Sequence, residues 1–232
     1  MIHGAQQPHS SQKGDVTEVV LVSHNPHKIV EMQDMLSKFC ASVRVLSASQ
    51  IGLTDEIEEN GTTFEENALI KARAAAQMGY FGIADDSGLS VDALHGAPGV
   101  YSARYAGEPC DDHRNNEKLL LALKDVPAQK RGAKFVSVIA FAYPHQPQLD
   151  FTACGTCEGV VLTEYRGAGG FGYDPLFYVP EMHKTFAEMN AAEKNSISHR
   201  ARAMQCFAQM FAARFGTNES SCARTQCENK WK

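Results

Sequence analysis

Apolar and polar positions along the chain follow two alternating periods. The run Glu18 to Val22 is almost continuously apolar, as a strand buried on both faces requires, and Ser23-His24-Asn25-Pro26 behind it reads as a loop. From Lys28 to Phe39 the positions Ile29, Met32, Met35 (or Leu36) and Phe39 recur at helical spacing, and Val43 to Leu46 predicts a second strand. Thr63 and Glu66 form a capping box that opens a helix predicted over 64–78, with Gly79 suited to its end. Phe81 to Ala84 predicts a short strand ending at Asp85-Asp86-Ser87-Gly88, after which Leu89, Val91 and Ala93 alternate and His95 to Gly99 turns. A helix is predicted over Asp111 to Lys124. The period then changes, and Lys134 to Tyr143, Gln148 to Thr156 and Gly159 to Arg166 read as three successive antiparallel strands. A glycine-rich loop, Gly167 to Pro175, follows them. The last helix, from about Ser198 to Gly216, carries Met204, Phe207, Ala208, Phe211 and Phe215 as a core-facing stripe.

Composition narrows what such a chain can be. The 232 residues are 44% apolar and 21% charged, which is ordinary globular composition. The formal charge of −5 argues against broad cationic steering toward nucleic acid or acidic membranes, while leaving room for a local basic pocket. The longest apolar runs fall far short of a membrane helix, and the first residues lack the apolar core of a secretory signal. Seven irregularly spaced cysteines fit free thiols in a reducing compartment, hence a cytoplasmic location. Cys154-Gly-Thr-Cys157, with Cys222 and Cys227, could be drawn into a metal or redox site, but the motif sits in a strand-like stretch with no helix behind it. Residues 1–17 and 216–232 are polar and aperiodic and read as flexible tails around one domain spanning 18–215.

Three features carry candidate chemistry. Ser23-x-Asn25-x-x-Lys28 joins a buried strand to a helix, where free amides, the helix dipole and a lysine suit phosphate, although an ordinary turn has the same pattern. Asp85-Asp86 at a strand end needs neutralisation, for which Mg²⁺ is a natural partner; an Asp turn capping a helix is the alternative. Successive strand residues point to opposite faces, so only one of the two carboxylates faces a given site. The glycine-rich loop with Phe171 and Tyr173, together with Lys194, His199 and Arg200, supplies flat faces for a base and cations for phosphate. Each feature alone has a bland explanation, and the three together favour a nucleotide–Mg²⁺ site that is not a Walker-type P-loop.

The segments SHNPHKIVEM, TTFEENALIKARAAA, IADDSGLSVDALHGAPGVYSARYAGE, GGFGYDPLF and AEKNSISHRARA, in this order, resemble the inosine triphosphate pyrophosphatases, and DDSGL with GVYSARYAGE is similar to the bacterial-type branch. That resemblance implies an elongated, two-lobed α/β fold with a long mixed central sheet, an active site in the cleft between the lobes, and a homodimer. It implies Mg²⁺-assisted hydrolysis of ITP, dITP and XTP to the monophosphate and pyrophosphate; with the net charge of −5 and the short apolar runs, no nucleic-acid or membrane partner is expected. Residue by residue, it implies that Ser23, Asn25 and Lys28 hold the triphosphate, that Glu59 and Asp86 bind the metal, and that Asp86 is the proton acceptor. Ser87 would touch substrate, and Asp85 and Lys71 would support the site. Phe171, Gly172, Tyr173 and Asp174 would line the base pocket with Phe171 stacking, and Lys194, His199 and Arg200 would meet base and phosphate. The family usually has Gly where this chain has His24, and Pro26 has no amide to donate, which shifts phosphate contacts toward Asn25 and Lys28. Two other readings are a binding module that kept the pocket without turnover, and a pyrophosphatase for pyrimidine or modified nucleotides.

Overall fold

The computed structural model describes residues 16–23 and 26–216. The predicted tails, His24, Asn25, Cys222 and Cys227 therefore lie almost wholly or entirely outside the described residues. The remainder builds one seven-stranded mixed sheet ordered β2-β1-β3-β4-β5-β6-β7. Strands β1 (Thr17–Leu21), β2 (Val43–Ser47) and β3 (Phe81–Val91) are parallel to one another. Strands β4 (Gly132–Ala142), β5 (Phe151–Val161), β6 (Phe177–Val179) and β7 (Lys184–Thr185) extend β3 as an antiparallel meander. Three strands of eleven residues each, each roughly 36 Å long at the usual rise per residue, give the molecule its long axis.

The helices are α1 (Pro26–Ser37), α2 (Phe64–Gln77), α3 (Asp112–Ala122), α4 (Ala191–Ile197) and α5 (His199–Phe215). The capping box predicted for α2 is present: the Thr63 hydroxyl accepts from the Glu66 N–H at 3.1 Å, and the Glu66 carboxylate accepts from the Thr63 N–H at 3.2 Å. The Asp111 and Ser198 side chains cap α3 and α5 by accepting from the Arg114 and Ala201 N–H groups, as helix starts with free amides require.

Two apolar cores share one face of the sheet. One packs α1 and α5 on β1, β3, β4 and β5 through Leu21, Met32, Leu36, Ile83, Phe141, Phe207 and Phe211. The other gathers Leu89, Leu119, Leu123, Phe135, Tyr173, Phe177 and Phe186 around α3 and the short strands. The opposite face is covered by the alanine side of α2, where Ala68, Ala72 and Ala76 meet Ala84 and Ala140. That approach is so close that a Cβ on Gly82 would stand 1.9 Å from the Ala72 carbonyl oxygen.

The structure corrects three sequence expectations. The strand at Phe81 does not end at Asp85; it runs through Asp85-Asp86-Ser87-Gly88 to Val91, pairing Asp85 with Ile139 and Asp86 with Val138. The two strands expected over 148–166 are one, β5, with Gly159 inside it. Glycine is required there not as a breaker but to admit the Phe177 ring, which a Cβ would approach to 2.6 Å. The one-turn helices and the short strands β6 and β7 were not predicted; α4 precedes the last helix, from which Ser198 separates it.

Candidate active site

The parallel part of the sheet positions the site. From β1 the chain passes through α1 on one face to β2, then through α2 on the other face back to β3, so the connections diverge at the carboxyl end of β1. In open α/β sheets such a divergence leaves a crevice that takes ligands. Here β1 pairs with β3 only as far as Leu21 opposite Ile83, with one further bond from the Val22 N–H to the Ile83 carbonyl. Asp85 and Asp86 lie immediately past that point, one on each face of an uncovered strand edge.

The Asp85 face opens into a cleft of about 770 Å³ between the two cores. Lys28, Asp85, Ser87, Phe171, Gly172, Tyr173, Asp174, Lys194, His199 and Arg200 all line it, so most of the sequence-predicted substrate residues come together. Lys28 Nζ donates to both Asp85 oxygens at 2.9 and 2.7 Å. Burial alone would raise the Asp85 carboxyl, but Lys28, with help from Arg200 and Lys71, outweighs it and holds the carboxyl below its ordinary value. Ser87 Oγ donates to Ser137 Oγ at 3.1 Å, directly across the β3–β4 pair. At the other end, Lys194 is paired with the buried Asp174 carboxylate and lies over the Phe171 ring, 4.9 Å from its centroid.

His199 is buried in an aromatic stack, 4.8 Å from Phe135 and nearly parallel to it. Burial, reinforced by the Arg200 and Lys194 charges, pushes its imidazole down to about 3, so the ring is neutral throughout the physiological range. Its Nδ1 has no hydrogen-bond partner among the described residues. Between about pH 3 and 6.5 the unfolded chain carries a proton on this ring that the folded chain refuses. Stability is therefore complete above 6.5 and falls as the pH drops through that window. At about 1.4 kcal/mol per pH unit, urea unfolding at pH 7.5 and 4.5 should show the native protein losing roughly 3 kcal/mol more than His199→Gln. Equal losses in the two proteins would mean that the ring is charged in the folded state.

Asp86, Glu59, Lys71 and Ser23 lie on the other face. Lys71 Nζ stands 3.0 Å from Glu59 and 3.7 Å from Asp86. Ser23, Glu59 and Lys71 line a smaller pocket of about 170 Å³ with Asp55 and Glu56. Burial raises the Asp86 carboxyl and Glu59 adds to it, with Lys71 opposing but not cancelling the rise. Its Oδ2 is buried with no hydrogen-bond partner among the described residues, although the fully buried Asn67 amide is turned toward it. The predicted residues thus divide between two pockets that flank the end of β1, with Ser23 lining one and Lys28, in the first turn of α1, lining the other. Asn25 lies outside the described residues.

Among the described residues no three His, Cys, Asp or Glu side chains gather closely enough to hold a metal ion. Glu59 and Asp86 nevertheless suit Mg²⁺, which typically takes one or two protein carboxylates and completes its shell with water and substrate phosphate. The unpartnered Asp86 oxygen and the ammonium already drawn between the two carboxylates mark a position that favours positive charge. Cys154 is exposed and Cys157 buried on β5, and neither is bonded to another cysteine.

Sequence reading missed several contributors. Ser137 is visible only through its pairing with Ser87. Asn67 could have been found as a polar residue one turn before Lys71 on the otherwise apolar side of α2. Asp112, which lines the cleft, and Asn116 one turn later carry a similar i, i+4 signal.

The same arrangement of sheet and cleft occurs in solved structures. A HAM1 protein from Coxiella burnetii superposes with a TM-score of 0.80 at 41% identity, over 85% of this chain and 99% of its own. The Ham1 protein of Staphylococcus aureus gives 0.79 at 40% identity, over 85% and 99%. Proteins named dITP/XTP pyrophosphatase from Desulforamulus reducens and Pseudomonas aeruginosa are 53% and 52% identical to this chain. They match 81% and 83% of this chain and 92% and 95% of their own lengths. The Ham1 family model matches residues 19–210, from β1 through all but the end of α5 and so across every element that builds the cleft; the chain belongs to the Ham1 family.

Proposed function

We propose that the protein hydrolyses deaminated purine nucleoside triphosphates, dITP, ITP and XTP, between the α and β phosphates, releasing the nucleoside monophosphate and pyrophosphate. The observation that carries this reading is a roomy cleft joining an exposed aromatic ring to three cationic side chains on a chain of net charge −5. In it the base stacks on Phe171, and the phosphates run toward Lys28 and the end of β1, where Ser23 and Lys71 continue the polar path toward Asp86. Lys28 and Lys194 are pre-positioned by Asp85 and Asp174, and an incoming phosphate shares these cations with the carboxylates.

A bound Mg²⁺ would be held by Glu59 and Asp86 and would neutralise charge developing on the phosphoryl oxygens. Asp86 orients the attacking water and takes its proton, a role that suits a carboxyl raised above its usual range. At the base, neutral His199 and the amides at the start of α5 offer hydrogen bonds to a 6-keto oxygen. A 6-amino group would set donor against donor and leave buried polar groups unpaired, which rejects adenine strongly. The family resemblance adds a homodimer to this reading, and the irregularly spaced cysteines a cytoplasmic location; no described helix is long and apolar enough to cross a membrane.

A released-pyrophosphate assay across purine triphosphates, with and without Mg²⁺, tests the proposal. We expect kcat/KM for dITP and XTP to exceed that for ATP by at least about 100-fold, with pyrophosphate as product and activity lost on chelation. Comparable turnover of ATP and dITP, or release of single phosphates, would refute it.

A further inference from the structure

The loop that presents Phe171 is held by a helix that the proposed chemistry does not use. We infer that Asp112 and Asn116 of α3 are positioning residues that set the stacking platform of the base pocket by clamping Gly172; this rests on the base-pocket reading above. The Gly172 N–H donates to Asp112 Oδ2 at 2.7 Å, and Asn116 Nδ2 donates to the Gly172 carbonyl at 2.9 Å. Because the two side chains are one turn apart on α3, they project side by side and engage the two peptide groups flanking a single residue. Gly172 has φ +59°, the left-handed region, and nothing lies near its missing Cβ, so glycine serves the backbone turn rather than a steric need.

Phe171 is fixed from both sides as a result. Its own N–H donates to Asp174 Oδ2 at 2.9 Å, and its carbonyl accepts from the Asp174 N–H at 3.2 Å. The following peptide is held by Asp112. Tyr173 ties the same loop to the far wall, its hydroxyl donating to the Ser102 carbonyl at 2.8 Å, and Ser102 Oγ accepts from the Leu89 N–H of β3. Yet the Phe171 ring is 65% exposed. A large apolar ring left in solvent on a backbone pinned at every polar group is a surface prepared in advance for a flat apolar partner, and preorganisation of this kind lowers the cost of binding. Asp112 is itself exposed, so its carboxylate does little for the core and its removal separates positioning from stability.

The test compares Asp112→Ala, Asp112→Asn, Asn116→Ala and Phe171→Ala, reading KM and kcat for dITP, thermal stability, and the inhibition constant of inorganic tripolyphosphate, which has the phosphates but no base. We expect Asp112→Ala to raise KM roughly ten-fold, about the loss of one hydrogen bond's worth of order, with kcat and tripolyphosphate inhibition retained. Asp112→Asn, which keeps an acceptor for the Gly172 N–H, should restore KM, and Asn116→Ala should act as Asp112→Ala does with some loss of stability. If Phe171→Ala raises KM and Asp112→Ala does not, the clamp is refuted and the base pocket stands. If tripolyphosphate inhibition weakens in parallel with KM, the helix supports the whole cleft and the clamp is likewise refuted. If Phe171→Ala leaves KM unchanged, the base-pocket reading falls and takes this inference with it.

Discussion

Asp86→Asn is expected to reduce kcat by about 10³-fold, within the range usual for removing a general base, while the melting temperature stays level or rises. The two halves of that expectation share one cause. Burial and the neighbouring Glu59 make the ionised form of Asp86 unfavourable in the folded protein, with Lys71 compensating only in part. A carboxyl whose folded pKa is raised weakens the fold when charged, and the neutral amide of asparagine relieves that. The same replacement at Asp85 should behave oppositely. Its carboxyl is held below its ordinary value by Lys28, so Asp85→Asn leaves an ammonium without its partner and should lower the melting temperature. Pyrophosphate release and thermal melts on the two variants make the comparison. An Asp86→Asn protein turning over within ten-fold of the native rate would remove Asp86 from the mechanism. Two variants with the same change in stability would contradict the electrostatic assignment of the two faces.

Gly155→Ala should be among the most damaging single-methyl substitutions at the described residues. A Cβ at this position of β5 would stand 2.2 Å from the Ala203 nitrogen and 2.3 Å from the His199 carbonyl oxygen. Both are backbone atoms of α5, so no rotamer change relieves the clash and the helix must lift from the sheet. Overpacking ordinarily costs 1–3 kcal/mol, and contact with backbone puts this case at about 3 kcal/mol or more. For a domain of this size that corresponds to a fall in melting temperature of roughly 6–12 °C. The first turn of α5 carries His199 and Arg200 into the cleft, so KM for dITP should rise as well. Cys154→Ala, next door but exposed, is the control and should change neither quantity. A Gly155→Ala protein with native stability would mean that α5 does not seat on β5 as closely as described.

How far the residues alone could lead differs by feature, and the differences have physical causes. The start of α2 was legible because a capping box is local, Thr63 and Glu66 satisfying each other's amides within one turn. The continuation of β3 was not. Two adjacent carboxylates in a buried strand look prohibitive, and they are tolerated only because β1 stops at Leu21 and lysines from two different helices reach them. The expected separate strand opening at Gly159 failed for a similar reason, since the need to admit Phe177 comes from a residue eighteen positions later. Strands β6 and β7 and helix α4 are too short to announce themselves and are held by their neighbours.

By itself, then, the sequence determined the family, the alternation of strands and helices, and the identity of the charged and aromatic groups available for chemistry, because each of these is written in local patterns and ordered motifs. Which of those groups meet was decided by the tertiary structure alone. The strand period already implied that Asp85 and Asp86 face apart, but it is the diverging connections around β1 that place α1 and α2 on either side of them, and the distant α3 that holds the loop presenting Phe171. Contacts between residues so far apart along the chain depend on how layers stack, and no local pattern encodes that.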